Sequence, residues 1–273
     1  MVLFPIDYSD RKEIGRTGER VSAIGLGTWS IRSYENALKV FIYAVENGID
    51  NVDTAEIYDA GRAEEFVGRL ARIVGRDRLF ITTKMHPSHL VDKYHVVKAA
   101  KKALARMGLR YVDLYLIHWP NPSMSISRQV MNFEVLVDEG LTRYIGVSNF
   151  DRAELEEALS STRKAEIVVD QVRYSVRHRE PEYGLLEFAI RNHVTLQAYT
   201  PIEHGLVAKE KLLSEIGSKY GKTPIQVALN YLISRPRVIA IPKTENMDHL
   251  REILGAMGWR LRAEDIEVIE ENM

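Results

Sequence analysis

The sequence predicts an α/β protein built as a closed (β/α)8 barrel, and three observations predict it. Eight short apolar runs of strand length alternate with stretches of helical period along 273 residues. Several runs are nearly continuous in apolar residues, as strands are when crossover helices cover both faces. No run leads into G-x-G-x-x-G, the turn of an open, doubly wound sheet; the one close pair, Gly25 and Gly27, continues as Thr28-Trp29-Ser30.

Taken in order, the opening KEIGRTGER is rich in turn residues, and Gly18 divides KEIGRTGERVSAIG into two alternating halves, which predicts a hairpin closing the barrel's bottom. VSAIGLG reads as the first strand. The helix after it repeats Ala37, Val40, Phe41, Ala44 and Val45 at helical spacing, and Gly48 stands where a C-cap glycine would. NVDTA is a strand, and Phe66, Val67 and Leu70 mark the buried face of the next helix, AEEFVGRLARIVG. The alternation continues as LFITTK before HVVKAAKKALARMG, DLYLIHW before SRQVMNFEVLVDEG, YIGVSNF before RAELEEALSS, and IVVDQV before EYGLLEFAIRN. VTLQAYT precedes two helical stretches, in AKEKLLSEIGSKYG and TPIQVALNYLIS, and VIAIPKT precedes MDHLREILGAMG. In RLRAEDIEVIEENM, Ala263-Glu264-Asp265 opens a capping helix whose Ile266, Val268 and Ile269 face the barrel. Eight units in roughly 250 residues leave no room for a second domain, so residues 1–273 are expected to form one barrel domain.

Composition narrows the function. With 37 basic and 38 acidic residues the chain has no field that would draw in nucleic acid or acidic lipid. The absence of cysteine excludes disulfides, thiolate catalysis and cysteine-bearing zinc sites. The first residues, MVLFPIDYSDRKEIG, make neither a secretory nor a transit peptide, and no apolar run approaches the roughly 20 residues that span a bilayer. A soluble, cytoplasmic protein without a membrane partner is expected.

Asp53, Lys84 and His118 stand at the ends of consecutive predicted strands, with Tyr58 just beyond Asp53. In a parallel barrel these ends share one rim, where catalytic groups gather. A free phenol has a pKa near 10; an adjacent ammonium such as Lys84 is expected to lower it, with Asp53 balancing the lysine, and His118 to orient a carbonyl. Singly, each residue reads as well as a cap, a surface charge or a structural histidine. Their joint placement points to the acid half of a hydride transfer. Ser148, Asn149, Gln171, Tyr199, Lys243 and Thr244 lie at further strand ends: amides suit a carboxamide, a flat ring suits a heterocycle, and Lys243 with Thr244 suits a phosphate. Trp29 and Trp119 are expected to wall an apolar pocket. His86 and His89 are spaced like metal ligands, but Pro87 argues for a loop and no third ligand is evident, so no metal is expected. The run HREPE, within Arg177 to Glu182, reads as a solvated face.

The chain resembles the aldo-keto reductase family from about Arg11 onward, through GLGTW (25–29), DTAEIYDAGRAEEFVG (53–68), TTK (82–84), LYLIHWP (114–120), GVSNF (146–150), DQV (170–172), AYTP (198–201) and IPKT (241–244). The resemblance implies an oxidoreductase that binds NADPH, or less often NADH, in extended form and interconverts carbonyl and alcohol substrates. It makes Asp53, Tyr58, Lys84 and His118 the catalytic set, with Tyr58 the general acid. It implies that Gly27, Thr28, Asp53, Ser148, Asn149, Gln171, Tyr199, Thr200, Pro201, Lys243, Thr244 and His249 meet the cofactor, that Trp29, Tyr58, His118 and Trp119 meet the substrate, and that the protein is a monomer. Two departures stand out. His249 occupies the position of a phosphate-clamping arginine, and a histidine is the poorer clamp. The sequence ends at Met273, short of a pocket-covering loop of many relatives, which predicts an open, permissive pocket. The alternatives are a polyol or sugar dehydrogenase running the reaction in reverse, a nicotinamide-binding regulatory protein without turnover, and a barrel enzyme of another reaction type.

Overall fold

The computed structural model describes residues 2–273. Strands β1 (Arg11–Glu13) and β2 (Arg20–Ser22) form the antiparallel hairpin. Its Ile14 and Val21 are buried against Phe80, Leu114, Leu116, Val168 and Ile239, so the hairpin plugs the barrel floor. Seating it requires a glycine. Gly15 sits at φ +56°, and a Cβ there would stand 2.7 Å from the Val168 Cβ.

Eight parallel strands then follow in chain order around one sheet: β3 (Leu26–Gly27), β4 (Asn51–Asp53), β5 (Phe80–Met85), β6 (Val112–Ile117), β7 (Thr142–Ser148), β8 (Ile167–Arg173), β9 (Thr195–Tyr199) and β10 (Val238–Ala240). The ring closes where Ile24 bridges Ala240 in parallel, with Gly25 N–H donating to the Ala240 carbonyl at 2.8 Å. This is the predicted (β/α)8, or TIM-barrel, arrangement. The run VSAIGLG is not one strand, however. Val21 and Ser22 belong to the hairpin and Leu26 and Gly27 to the barrel: Ser22 is held by Asp50, which accepts its N–H at 2.8 Å, whereas Ile24 already bridges Ala240.

The helices are α1 (Tyr34–Glu46), α2 (Arg62–Val74), α3 (Lys93–Met107), α4 (Ile126–Phe133), α5 (Val135–Asp138), α6 (Arg152–Ser161), α7 (Leu185–Arg191), α8 (Lys211–Ser218), α9 (Pro224–Ile233), α10 (Met247–Leu254) and α11 (Ala263–Asn272). The predicted faces of α1 and α2 are buried. In α11, Ile266 and Ile269 are buried while Val268 is only partly so. The single helix expected over 127–140 breaks at Glu134, which turns inward to accept the N–H groups of Arg163, Lys164 and Ala165 at 2.7, 2.9 and 3.1 Å. Among the described residues, no helix is long and apolar enough to cross a membrane.

HREPE corrects the expectation of a solvated face. Arg177 and Glu180 are exposed, but Arg179 and Glu182 are buried. The Glu182 carboxylate accepts the hydroxyls of Tyr174 (2.5 Å) and Tyr231 (2.7 Å) and the Nε of Arg179 (2.8 Å). Arg179 also donates to the Glu270 carbonyl at 2.6 Å, and Arg235 to the Glu270 carboxylate at 2.6 Å, which ties α11 to the barrel. Glu182→Ala strands two buried hydroxyls and a buried guanidinium, so it is expected to cost about 3–5 kcal/mol of stability in urea unfolding. A loss under about 1 kcal/mol, the worth of a surface pair, would contradict this reading.

Candidate active site

The strand ends bring Asp53, Lys84 and Tyr58 together through one ammonium. β4 stops at Asp53, opposite Thr82, so Lys84 stands two residues further up β5 and its side chain folds back. Lys84 is fully buried, and its Nζ donates to Asp53 Oδ2 at 2.7 Å, the Thr54 carbonyl at 2.8 Å and the Tyr58 hydroxyl at 3.0 Å. Those three bonds use every hydrogen an ammonium has. The second Asp53 oxygen accepts Gln171 Nε2 at 2.6 Å, and the same nitrogen donates to Gln197 Oε1 at 2.7 Å. Tyr58 opens a 3-10 turn in which Asp59 (φ 47°) and Ala60 (φ 53°) are left-handed. Such residues cost of order 1–3 kcal/mol each. Asp59 is held there by the Tyr34 hydroxyl at 2.9 Å and by Arg62 at 3.3 Å.

Burial sets the protonation states. It pushes the Asp53 carboxyl up, against the pull of Lys84; since both oxygens accept N–H donors, we assign the carboxylate as ionised. Burial likewise opposes the Lys84 ammonium, but Asp53 and Tyr58 hold its pKa above the ordinary value. For Tyr58 burial outweighs the pull of Lys84 and the phenol pKa is raised. The sequence-based expectation of a lowered value is thus corrected: the lysine acts in the expected direction, but the lost solvation is larger. The hydroxyl therefore carries its proton at neutrality. Burial, followed by Lys84 and His86, lowers the His118 pKa to about 3, so its ring is neutral. His118 does not hydrogen-bond Tyr58; the rings meet edge-on with centroids 5.7 Å apart, and His118 Nδ1 is buried without a partner.

A cleft of about 1030 Å³ opens over this group. Asp53, Tyr58, His118, Gly27, Trp29, Trp119, Ser148, Asn149, Gln171, Tyr199, Thr200, Pro201, Lys243, Thr244 and His249 all line it. Lys84 lies behind Tyr58, and Thr28 is buried behind the wall, its N–H bonded to the Asp53 carbonyl at 3.0 Å. Asn149, itself left-handed at φ 60°, donates to the His118 carbonyl at 3.0 Å and accepts the Tyr199 hydroxyl at 2.8 Å. The Ser148 hydroxyl donates to the Gln171 carbonyl at 2.8 Å. A flat tyrosine ring held beside an amide, with Lys243 elsewhere on the same cleft, suits a flat heterocycle joined to an anionic group. Thr244 Oγ1 accepts the Asn246 N–H at 3.1 Å and is largely buried. His86 caps the turn Pro87–His89 and packs edge-on against Trp119, while His89 faces Glu56 at 3.5 Å. No group of three His, Asp or Glu side chains is placed to hold a metal ion among the described residues.

The sequence reading missed Ile57, Ile202, His204 and Glu245, which also line the cleft. Gly205 was the one visible sign of the loop after β9, where Thr200, Glu203 and His204 are also left-handed and His204 meets Trp29 at 5.7 Å. Its anchor, Glu203, accepts Arg173 and Ser175, both at 2.7 Å.

Both the sequence and the fold have known relatives. The model of the aldo/keto reductase family matches residues 23–272. Methylglyoxal reductase YeaE of Escherichia coli is 29% identical over 259 residues, covering 91% of this chain and 90% of that protein. Among solved structures, the thermostable aldo-keto reductase Tm1743 in complex with epalrestat superposes with a TM-score of 0.90 at 40% identity, covering 96% of this chain and 98% of that one. The aldo/keto reductase of Klebsiella pneumoniae in complex with NADP and acetate gives 0.89 at 29% identity, covering 96% and 95%. The chain belongs to the aldo/keto reductase family.

The neutral His118 generates a pH prediction. An unfolded histidine binds a proton below about pH 6.5, whereas the folded ring stays neutral down to about 3. Its contribution to stability is therefore complete above the unfolded pKa and is lost as pH falls between the two values. In an NMR titration the His118 ring is expected to remain neutral from pH 8 to pH 5; a midpoint near 6.5 would contradict its burial.

Proposed function

We propose that the chain reduces aldehydes or ketones to alcohols with a reduced nicotinamide dinucleotide, Tyr58 protonating the carbonyl oxygen. When bound, the dinucleotide supplies the hydride. Asn149, Gln171 and Ser148 would hold its carboxamide, Tyr199 would face the ring, and Thr200, Pro201, Lys243 and Thr244 would line its path. The substrate carbonyl oxygen sits at the Tyr58 hydroxyl. Neutral His118 lines the same cleft and would offer to that oxygen the ring nitrogen other than its buried Nδ1, and Trp29, Ile57 and Trp119 would wall the carbon chain.

The observation that carries this reading is the 3.0 Å bond from the fully buried Lys84 ammonium to the Tyr58 hydroxyl. As the phenol gives up its proton, the oxygen left behind already faces a fixed positive charge, which needs no reorganisation at that moment. Asp53 keeps that charge in place. The raised phenol pKa leaves the hydroxyl protonated at neutrality, the form that reduction requires; in the oxidative direction the same oxygen would act as base. The family match and the NADP-bound Klebsiella pneumoniae relative support the cofactor class. The Escherichia coli relative is named for methylglyoxal, a small carbonyl compound, which supports the substrate class.

Tyr58→Phe removes the transferable proton and leaves the ring in place. With 4-nitrobenzaldehyde and NADPH it is expected to lower kcat by about 10²–10⁴-fold while the dinucleotide Kd stays within about twofold. Turnover like that of the wild type would refute the assignment.

A further inference from the structure

Glu245 follows the Lys243-Thr244 pair on the turn between β10 and α10. Its Oε2 accepts the backbone N–H groups of Ser33 at 2.8 Å and Arg32 at 2.9 Å, from the segment leading into α1. Its Oε1 lies 3.4 Å from Lys243 Nζ. Burial works to raise its pKa, but the Ser33 and Arg32 N–H groups and Lys243 hold the carboxyl below its usual range. Three donors thus converge at one point on the cleft wall, and a carboxylate of the chain already fills it.

This bears on the reading above, on which the inference rests, because Lys243 is the residue that reading places along the dinucleotide. A dinucleotide carrying a 2'-phosphate is selected by unmatched positive charge, whereas an acidic side chain at the ribose accepts hydroxyl hydrogens and suits the unphosphorylated form. Here the lysine charge is matched within the protein. Arg32, a second basic residue, also lines the cleft, so the phosphate is not excluded. We propose that Glu245 sets cofactor choice: by occupying the Arg32, Ser33 and Lys243 donors it removes most of the advantage of the 2'-phosphate, and NADH binds within about tenfold of NADPH.

Glu245→Gln tests this, since the amide oxygen can still accept the Arg32 and Ser33 N–H groups while the charge is gone. Dissociation constants for NADPH, NADH, 2',5'-ADP and 5'-AMP are measured by calorimetry on the full chain. The variant is expected to tighten NADPH and 2',5'-ADP by about fivefold or more, with NADH and 5'-AMP changed less than about twofold. Glu245→Asp, which keeps the charge, is expected to retain the wild-type ratio. Three results would overturn the proposal: equal shifts for all four ligands, no shift in the glutamine variant, or an aspartate variant that behaves like it. A wild-type preference for NADPH above about 100-fold would do the same. Should the wild type bind neither dinucleotide, the reduction itself falls as well; binding of both at a ratio that glutamine does not move removes only the role of Glu245.

Discussion

The ammonium of Lys84 has no contact with solvent, and the geometry of the site follows from where its three hydrogens go. Two charges withdrawn from water cost several kcal/mol each unless every lone pair and proton is met. Here the carboxylate, a backbone carbonyl and a phenol take one hydrogen each. None of the three can shift without stranding the charge, so the phenol is held by the same bonds that make burial of the lysine tolerable. The barrel supplies the rest. Gln171 reaches Asp53 from β8, on the far side of the ring from β4, so the ion pair is braced across the full barrel.

The fold closes one end and leaves the other free. The hairpin fills the floor with Ile14 and Val21, and the Glu182 network fastens α11 to the barrel wall. No residue after His249 lines the cleft among the described residues. Chemistry is thereby confined to the carboxyl ends of the strands. There the loops carry left-handed non-glycine residues at Asp59, Ala60, Asn149, Thr200, Glu203 and His204. Strain gathered around a site in this way is a form of pre-organisation, offset by hydrogen bonds such as Tyr34 to Asp59 and Arg173 to Glu203.

Much of this was legible in the sequence because it is written as periodicity. Helical spacing at Ala37, Val40 and Phe41 and continuous apolar runs such as VDLYLI require no tertiary knowledge, and polar residues at the ends of such runs reveal the rim. What escaped depends on contacts between distant segments. VSAIGLG reads as one strand-like run, yet it serves two sheets. Glu134, Glu182 and Glu245 look like surface charges until the donors around them are known, and those donors come from other elements. The direction of the Tyr58 shift is hidden in the sequence for a related reason. The neighbouring lysine is visible in the sequence, whereas the depth of burial is not.

The most direct test concerns the coupling between the ammonium and the phenol. With fluorotyrosine incorporated, the Tyr58 signal is assigned by its loss in Tyr58→Phe and titrated in the wild type and in Lys84→Met. Removing the ammonium should shift the phenol midpoint upward, because burial then acts without its largest opposing charge. An unchanged or lowered midpoint would show that Lys84 does not govern the hydroxyl, and the account of proton delivery would fail.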